Sequence, residues 1–433
     1  MNDERCVLAY SGGLDTSAIV PWLIDRAYEV HAVLVDVGQE EDLAALCGKA
    51  LSMGARTARV ADARPAMFKT VIPTAIGLAA TYEGTYRLGT ALARPFIALA
   101  QIQRARELGG ATLIHGATGK GNDQIRFEFA YRSLAPECPV LAPWKTWAFG
   151  GRQDLVDYLR SKGFEDRYEV TKDFSLDENL WHLSVEGGPL EDATACLDVE
   201  RILENVADRF GGAKGGGKGP ASVAITLEKG VPVAIDGQAM PLADMVSRLN
   251  VTYRHAPWAW DLVIENRYTG IKSRGVYINP AAKVLQLAAD ALARTCLNKP
   301  MYDRYVDVGA AYGTLLYRGE YFSDQRVLVE SSARELMSRL NGTVTMQLEP
   351  QPYAAQILAA QPMFRKDIAT FERSTDYSHQ DAEGFIRLAW LSTIGRSSTE
   401  GAYADPVEAG INVASDVCGD QPMPAGGLVS SKA

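Results

Sequence analysis

Two rhythms of apolar and polar positions divide the chain. In the first third, short apolar runs alternate with helix-like stretches. Residues 7–10 form an apolar run stopped by Ser11-Gly12-Gly13, and 18–27 follow with helical composition. Residues 30–37 are apolar and rich in β-branched side chains, closed by Gly38. Residues 40–53 then set Leu43, Leu46, Ala50 and Met53 at helical spacing behind an acidic first turn. A third strand is predicted over 58–61. A helix is predicted over 95–108, framed by its initial proline and by Gly109-Gly110, and a further strand over 112–115. Strand–helix alternation of this kind predicts an α/β fold with a doubly wound parallel sheet, whose ligands bind at the carboxyl ends of the strands.

Past residue 165 the rhythm changes. Residues 210–219 are glycine-rich and read as a flexible loop, while 223–227 and 231–235 flank Glu228-Lys229-Gly230 as a hairpin. Helices are predicted over 281–296 and 325–340, and a strand over 344–348. Beyond Arg396 the chain is rich in Ser, Thr, Gly and Pro and is expected to be disordered. The division that results is a parallel-sheet domain over 1–165, an α+β domain over 166–383, and a C-terminal region over 384–433. The last holds an apolar, amphipathic stretch at 384–391 and then the tail.

Composition narrows the function classes. With 433 residues, 47% of them hydrophobic, the chain can bury a substantial core, and no apolar run reaches the roughly 20 residues of a membrane span. The polar start leads straight into a strand-like segment without a secretory leader, so a cytoplasmic protein is expected. Six cysteines and five histidines are scattered without a C-x-x-C pair, which argues against a protein-built metal site or a disulfide framework. The net charge of −9 lacks the basic footprint of a nucleic-acid binder.

The most specific segment is Ala9-Tyr10-Ser11-Gly12-Gly13-Leu14-Asp15-Thr16-Ser17, between the first strand and the first helix. Two glycines let the backbone approach an anion, Ser11, Thr16 and Ser17 add hydroxyls, and the helix directs its positive end at the site. Asp15 suits such a loop if it caps the helix or helps hold Mg2+. The string matches neither the G-x-x-x-x-G-K-[ST] loop nor a dinucleotide fingerprint. It resembles instead the loop of N-type ATP pyrophosphatases, which cradles the pyrophosphate released when ATP is cleaved between its α and β phosphates.

A second glycine-rich cluster, H-G-A-T-G-K-G-N-D-Q-I-R-F-E over 115–128, follows the strand at 112 and can face the same cleft. Together with A-Y-S-G-G-L-D-T-S it resembles the argininosuccinate synthase family. V-D-V-G-Q-E-E-D (35–42), Y-R-L-G-T-A-L-A-R-P (86–95), A-P-W (142–144), S-L-D-E-N-L-W (175–181), E-N-R (265–267) and G-I-K-S-R-G-V-Y (270–277) extend the likeness over most of the chain. The run at 256–261 departs from the family's glycine-containing pattern.

The resemblance implies an adenine nucleotide α-hydrolase-like first domain, a synthetase and multimerisation domain, and a homotetramer with a C-terminal helical arm. It implies ATP, with Mg2+, on residues 9–17, with Val35 beside the adenine and Gly116 near the nucleotide. Thr118, Asn122 and Asp123 would hold aspartate, Asp123 facing its ammonium. Tyr86, Asn122, Arg126, Ser175, Ser184, Glu265 and Tyr277 would surround citrulline, with Thr90 in the same pocket and Arg126 gripping a carboxylate by a two-pronged contact. Asp15, Ser17, Asp123 and Arg126 are the residues expected nearest the chemistry. His115 is a candidate for proton traffic, though a strand-end structural role suits it better. The implied activity joins citrulline to aspartate through a citrullyl-adenylate, releasing AMP and pyrophosphate. The alternative is a paralogous adenylating ligase acting on another ureido, carboxyl or amine substrate.

Overall fold

In the computed structural model, residues 4–119, 121–164, 174–206, 219–369 and 377–393 are described. The first five strands are β1 (Glu4–Ala9), β2 (Tyr28–Asp36), β3 (Thr57–Asp62), β4 (Thr112–Ile114) and β5 (Val140–Leu141). They pair in parallel in the order β3-β2-β1-β4-β5, with Val7 registered against both His31 and Leu113. Residues 30–35 of β2 are buried without interruption, as expected of a strand covered on both faces.

Helices α1 (Leu14–Ile24), α2 (Leu43–Ser52), α3 (Arg64–Lys69), α4 (Val71–Gly77), α5 (Gly89–Glu107), α6 (Asp123–Leu134) and α7 (Arg152–Ser161) complete this layer. The predicted alternation is present, but two boundaries move. Helix α1 starts at Leu14 rather than residue 18, directly after the glycine turn. Helix α5 starts at Gly89 rather than Pro95, because its first two turns are buried and carry no amphipathic signal. Pro95 therefore sits inside a helix and forgoes the bond its N–H would give to residue 91. Gln101 of α5 pins the two central strands, its Nε2 donating to the carbonyls of Val7 (3.1 Å) and Ile114 (2.9 Å).

The following part of the chain builds two antiparallel sheets. One has the order β11-β12-β7-β6, from β6 (Ser175–Asn179), β7 (His182–Glu186), β11 (Trp260–Asn266) and β12 (Lys272–Ile278). The other, β10-β9-β8-β13-β14, contains β8 (Ser222–Glu228), β9 (Val231–Ile235), β10 (Gln238–Ala239), β13 (Gly342–Gln347) and β14 (Tyr353–Ala359). The β8–β9 hairpin turns through Lys229 and Gly230, both with positive φ (49° and 74°), the twist a two-residue hairpin favours. Around these sheets lie α8 (Val199–Val206), α9 (Leu242–Tyr253), α10 (Pro280–Cys296), α11 (Lys299–Tyr317) and α12 (Asp324–Met337).

By contacts the chain separates into two units, Met1–Phe364 and Arg365–Ala433. Within the second, α13 (Lys366–Ala369) and α14 (His379–Thr393) are described; α14 contains the apolar stretch and exposes Phe385, Ile386, Leu388, Trp390 and Leu391. The tail expected to be disordered after Arg396 and most of the glycine-rich 210–219 loop lie outside the described residues.

Candidate active site

The chain's progression across the parallel sheet reverses between β1 and β4, so the segments leaving their carboxyl ends open onto one crevice. The first is the glycine turn. Gly12 has φ +75°, and a Cβ there would come within 2.4 Å of Leu46 Cδ2. Its carbonyl accepts from Ser17 Oγ (3.3 Å) and from Lys49 Nζ (2.7 Å). Thr16 Oγ1 donates to the Gly13 carbonyl (3.3 Å) and lies 3.1 Å from Ser11 Oγ. Ser17 is fully buried and Thr16 nearly so, and both hydroxyls are engaged in shaping the turn.

Tyr10 and Leu14 are likewise buried, the Tyr10 hydroxyl lying 3.2 Å from Ser17 Oγ. They can offer a ligand only backbone. Ser11 and Gly13 are the exposed members, and Ala9 and Asp15 are half-buried. Burial pushes the Asp15 carboxyl up, opposed by the charge of Arg152.

The second segment starts at His115. A Cβ on Gly116 would lie 3.0 Å from Thr16 Cγ2 and 3.3 Å from Ile19 Cδ1, so this backbone crosses the start of α1 in close contact. His115 is fully buried, its Nδ1 accepting from Ala117 N at 3.2 Å while Nε2 faces Glu128 at 3.7 Å. That arrangement fixes the loop and fits the structural role. Thr118 is exposed, Val35 is buried near the end of β2, and Lys120 lies outside the described residues.

A polar cluster borders this crevice. Alternation along β6, β7, β12 and β11 puts Asp177, Ser184, Glu186, Ser273, Tyr277 and Glu265 on one face of the sheet, in registers Asp177↔Ser184, Ser184↔Tyr277 and Glu265↔Ser273. The opposite face holds Leu183, Val185, Val276 and Ile278 in a separate apolar cluster. Helix α5 packs on the polar face so closely that a Cβ on Gly89 would fall inside the His182 ring. Thr90 Oγ1 lies 3.3 Å from His182 Nε2, and Thr90 N donates to the Tyr86 hydroxyl at 3.3 Å. Burial and the nearby Arg94 push His182 down to about 3, so this imidazole is neutral.

The charged centre is a partly buried network, with Arg126 buried and Arg94, Asp123 and Asp177 half-buried. Asp123 accepts from Arg94 Nε (2.9 Å) and Arg126 Nη1 (2.8 Å), and Arg94 also pairs with Asp177. Arg126 Nε donates to the Tyr317 carbonyl at 3.0 Å. Both Asp123 oxygens are engaged by guanidinium groups, and two of the Arg126 nitrogens are engaged in turn, which leaves one edge of that guanidinium open. Asn122 Oδ1 accepts from Tyr268 N (2.9 Å), which ties the second loop to the β11–β12 turn.

Glu265 accepts from Ser273 Oγ at 3.1 Å, while its Oε2 and the Tyr317 hydroxyl are buried without hydrogen bonds among the described residues. Burial raises Glu265. Glu186 is pushed up to about 7 by burial and by the charge of Glu265, with Arg267 (3.1 Å) opposing. The Tyr277 hydroxyl leans over Gly275, where a Cβ would meet it at 2.9 Å, and reaches Glu186 at 3.5 Å. Tyr86 packs on Tyr277 with ring centroids 4.7 Å apart.

The structure thus gathers Tyr86, Thr90, Asn122, Asp123, Arg126, Ser184, Glu265 and Tyr277, while Ser175 sits at the exposed start of β6 opposite Glu186. Sequence reasoning did not single out Arg94, Asp177, Glu186, Arg267 or Tyr317. Glu186 was recoverable, two residues beyond Ser184 on the same strand face; Tyr317 had no local signal. Among the described residues no group of three or more His, Cys, Asp or Glu could hold a metal ion, and no helix is long and apolar enough to cross a membrane.

Comparison with known proteins identifies the family. The family model described as "Arginosuccinate synthase N-terminal HUP domain" matches residues 5–165, and "Arginosuccinate synthase C-terminal domain" matches 174–394. A protein named argininosuccinate synthase from Erwinia tasmaniensis is 39% identical over 402 residues, covering 92% of this chain and 98% of the relative. Another of that name from Caldanaerobacter subterraneus subsp. tengcongensis is 37% identical over 421 residues, covering 94% and 99%.

Proposed function

The chain belongs to the argininosuccinate synthase family, and we infer that it is an ATP-dependent ligase joining citrulline to aspartate. One observation carries this reading of the site: Gly116 abuts Thr16, so the two strand-end loops form one crevice beside the polar face bearing Ser184, Glu265 and Tyr277. The ureido oxygen of citrulline attacks the α-phosphorus of ATP, and pyrophosphate leaves. The amine of aspartate then attacks the activated ureido carbon, and AMP leaves with the oxygen.

Each part of the site has a task. The glycine turn presents N–H groups to the leaving pyrophosphate, Gly116 leaves room beside it, and Val35 packs near the adenine. The residues fit a metal that arrives with its nucleotide: Asp15 is a single half-buried carboxylate at the turn, and Mg2+ is usually held by one or two carboxylates plus phosphates. When bound, Mg2+ neutralises developing phosphate charge. Glu265 and Glu186 face the ammonium end of an amino acid, Tyr86 and Tyr277 wall it, and the open edge of Arg126 takes a carboxylate. Thr118 and Asn122 bracket the second amino acid. The residues chiefly orient the substrates and stabilise charge.

The alternative is a ligase of the same chemistry with another acceptor. The run at 256–261 motivated it, yet Trp258 is buried against Tyr253 and Asp261 pairs with Lys283 at 2.6 Å, so both are accounted for by packing and ion pairing. The exposed apolar positions of α14 suit a helix that packs on other copies of the chain in a homotetramer, and the domains are assigned as 1–165, 166–383 and 384–433. A cytoplasmic location fits a biosynthetic ligase of amino acids. Pyrophosphate release assayed with ATP fixed and the amino acids varied should require citrulline, and sustained turnover should require aspartate as well. Release indifferent to both would reject the reading.

A further inference from the structure

The phosphate turn carries an acid, Asp15, and no basic residue of its own between Ser11 and Ser17. A cation reaches it from another element. Lys49, in the last turn of α2, places Nζ 2.7 Å from the Gly12 carbonyl, and Leu46, three residues earlier on the same helix face, fills the space a Cβ on Gly12 would need. In a trans peptide the C=O and the following N–H point in opposite directions. With the Gly12 carbonyl drawn toward Lys49 and Ser17 Oγ, the N–H of Gly13 faces the other way, on the exposed side of the turn. Its intramolecular partner there is Ser11 Oγ at 3.4 Å, a long contact that a phosphate oxygen can replace.

We propose that Lys49 is the positioning residue of the phosphate turn. Its ammonium pins the Gly12 carbonyl so that the Gly13 N–H faces the pyrophosphate, and it sets a fixed positive charge behind the turn. Glycine at positive φ rotates its peptide readily. Without the pin, the Gly12–Gly13 peptide can turn its carbonyl toward the phosphates, exchanging a donor for a repelling acceptor. Ser17 supports the same carbonyl through a neutral hydroxyl, a weaker hold than a charge-assisted bond.

This inference rests on the ATP reading of the turn, and the test separates the two. MgATP and, separately, inorganic pyrophosphate are titrated calorimetrically into the full-length wild type, Lys49→Met, Lys49→Gln and Lys49→Arg, with unliganded melting curves alongside. Lys49→Met should bind both ligands about tenfold more weakly, with Lys49→Gln intermediate and Lys49→Arg within about threefold of wild type. KM for citrulline and aspartate should stay within about twofold, a split that general loosening would not produce. Should Lys49→Met fail to fold, Lys49→Gln against Lys49→Arg carries the same comparison. A wild type that binds MgATP with unaltered binding by the Met and Gln variants overturns the role of Lys49 alone. Lys49→Arg no better than Lys49→Met overturns it too. A wild type that binds neither ligand overturns the ATP reading and this inference with it.

Discussion

Asp123 shows how one residue can organise its neighbours at a site. Its two oxygens bridge Arg94 and Arg126, which hold it well ionised against the penalty of burial. Breaking a partly buried pair strands the remaining charges, so Asp123→Asn should lose about 1–3 kcal/mol in urea unfolding and abolish turnover. MgATP binding by calorimetry should stay within about threefold of wild type, because among the described residues the network's hydrogen bonds and ion pairs do not reach the phosphate turn. Glu186 provides a pH signature. Its folded value of about 7 exceeds the ordinary 4.5. Between those limits the folded protein keeps a proton that the unfolded chain releases, so stability falls as pH rises. Relative to Glu186→Gln, the wild type should lose roughly 1–2 kcal/mol between pH 4.5 and 7, allowing for partial solvent access. Parallel pH–stability curves for the two proteins would contradict this.

At the scale of elements, the sheet of β6, β7, β12 and β11 converts sequence alternation into a two-faced layer. Gly275 is the permissive position that lets Tyr277 fold toward Glu186. Gly275→Ala should displace that hydroxyl, raising KM for citrulline about tenfold while MgATP affinity is unchanged; an unaltered KM would remove Tyr277 from the pocket wall. The same sheet marks what was legible beforehand. The glycine turn and the HGATGKGND cluster were readable because each strings its functional residues together. Glu265 and Tyr277 emerged through family motifs, and Ser184 only through the wider family resemblance. Arg94 and Tyr317 did not stand out, since their roles come from helices α5 and α11 being brought against strands far away in sequence. The start of α5 does not stand out for a related reason: buried on all sides, residues 89–93 show no helical periodicity.

At the scale of the molecule, the parallel sheet supplies a crevice and the second sheet a polar wall, the parts that the proposed function gives to the nucleotide and to the amino acids. Each half alone is a common arrangement; the close contact of Gly89 with His182 joins them. The β2 end is joined to the same region by Leu180 N donating to the Val37 carbonyl at 2.9 Å. Loosening that junction should uncouple nucleotide use from ligation. His182→Ala is therefore expected to retain MgATP binding while its yield of ligated product per AMP formed drops, measured by quantifying both products in one assay. The most direct test of the central claim follows the oxygen that joins the two halves. Citrulline labelled with 18O in its ureido group is turned over with ATP and aspartate, and the products are analysed by mass spectrometry. Direct attack on the α-phosphorus predicts one labelled oxygen in AMP and none in pyrophosphate. Label absent from AMP, or ADP and phosphate as the nucleotide products, would contradict it.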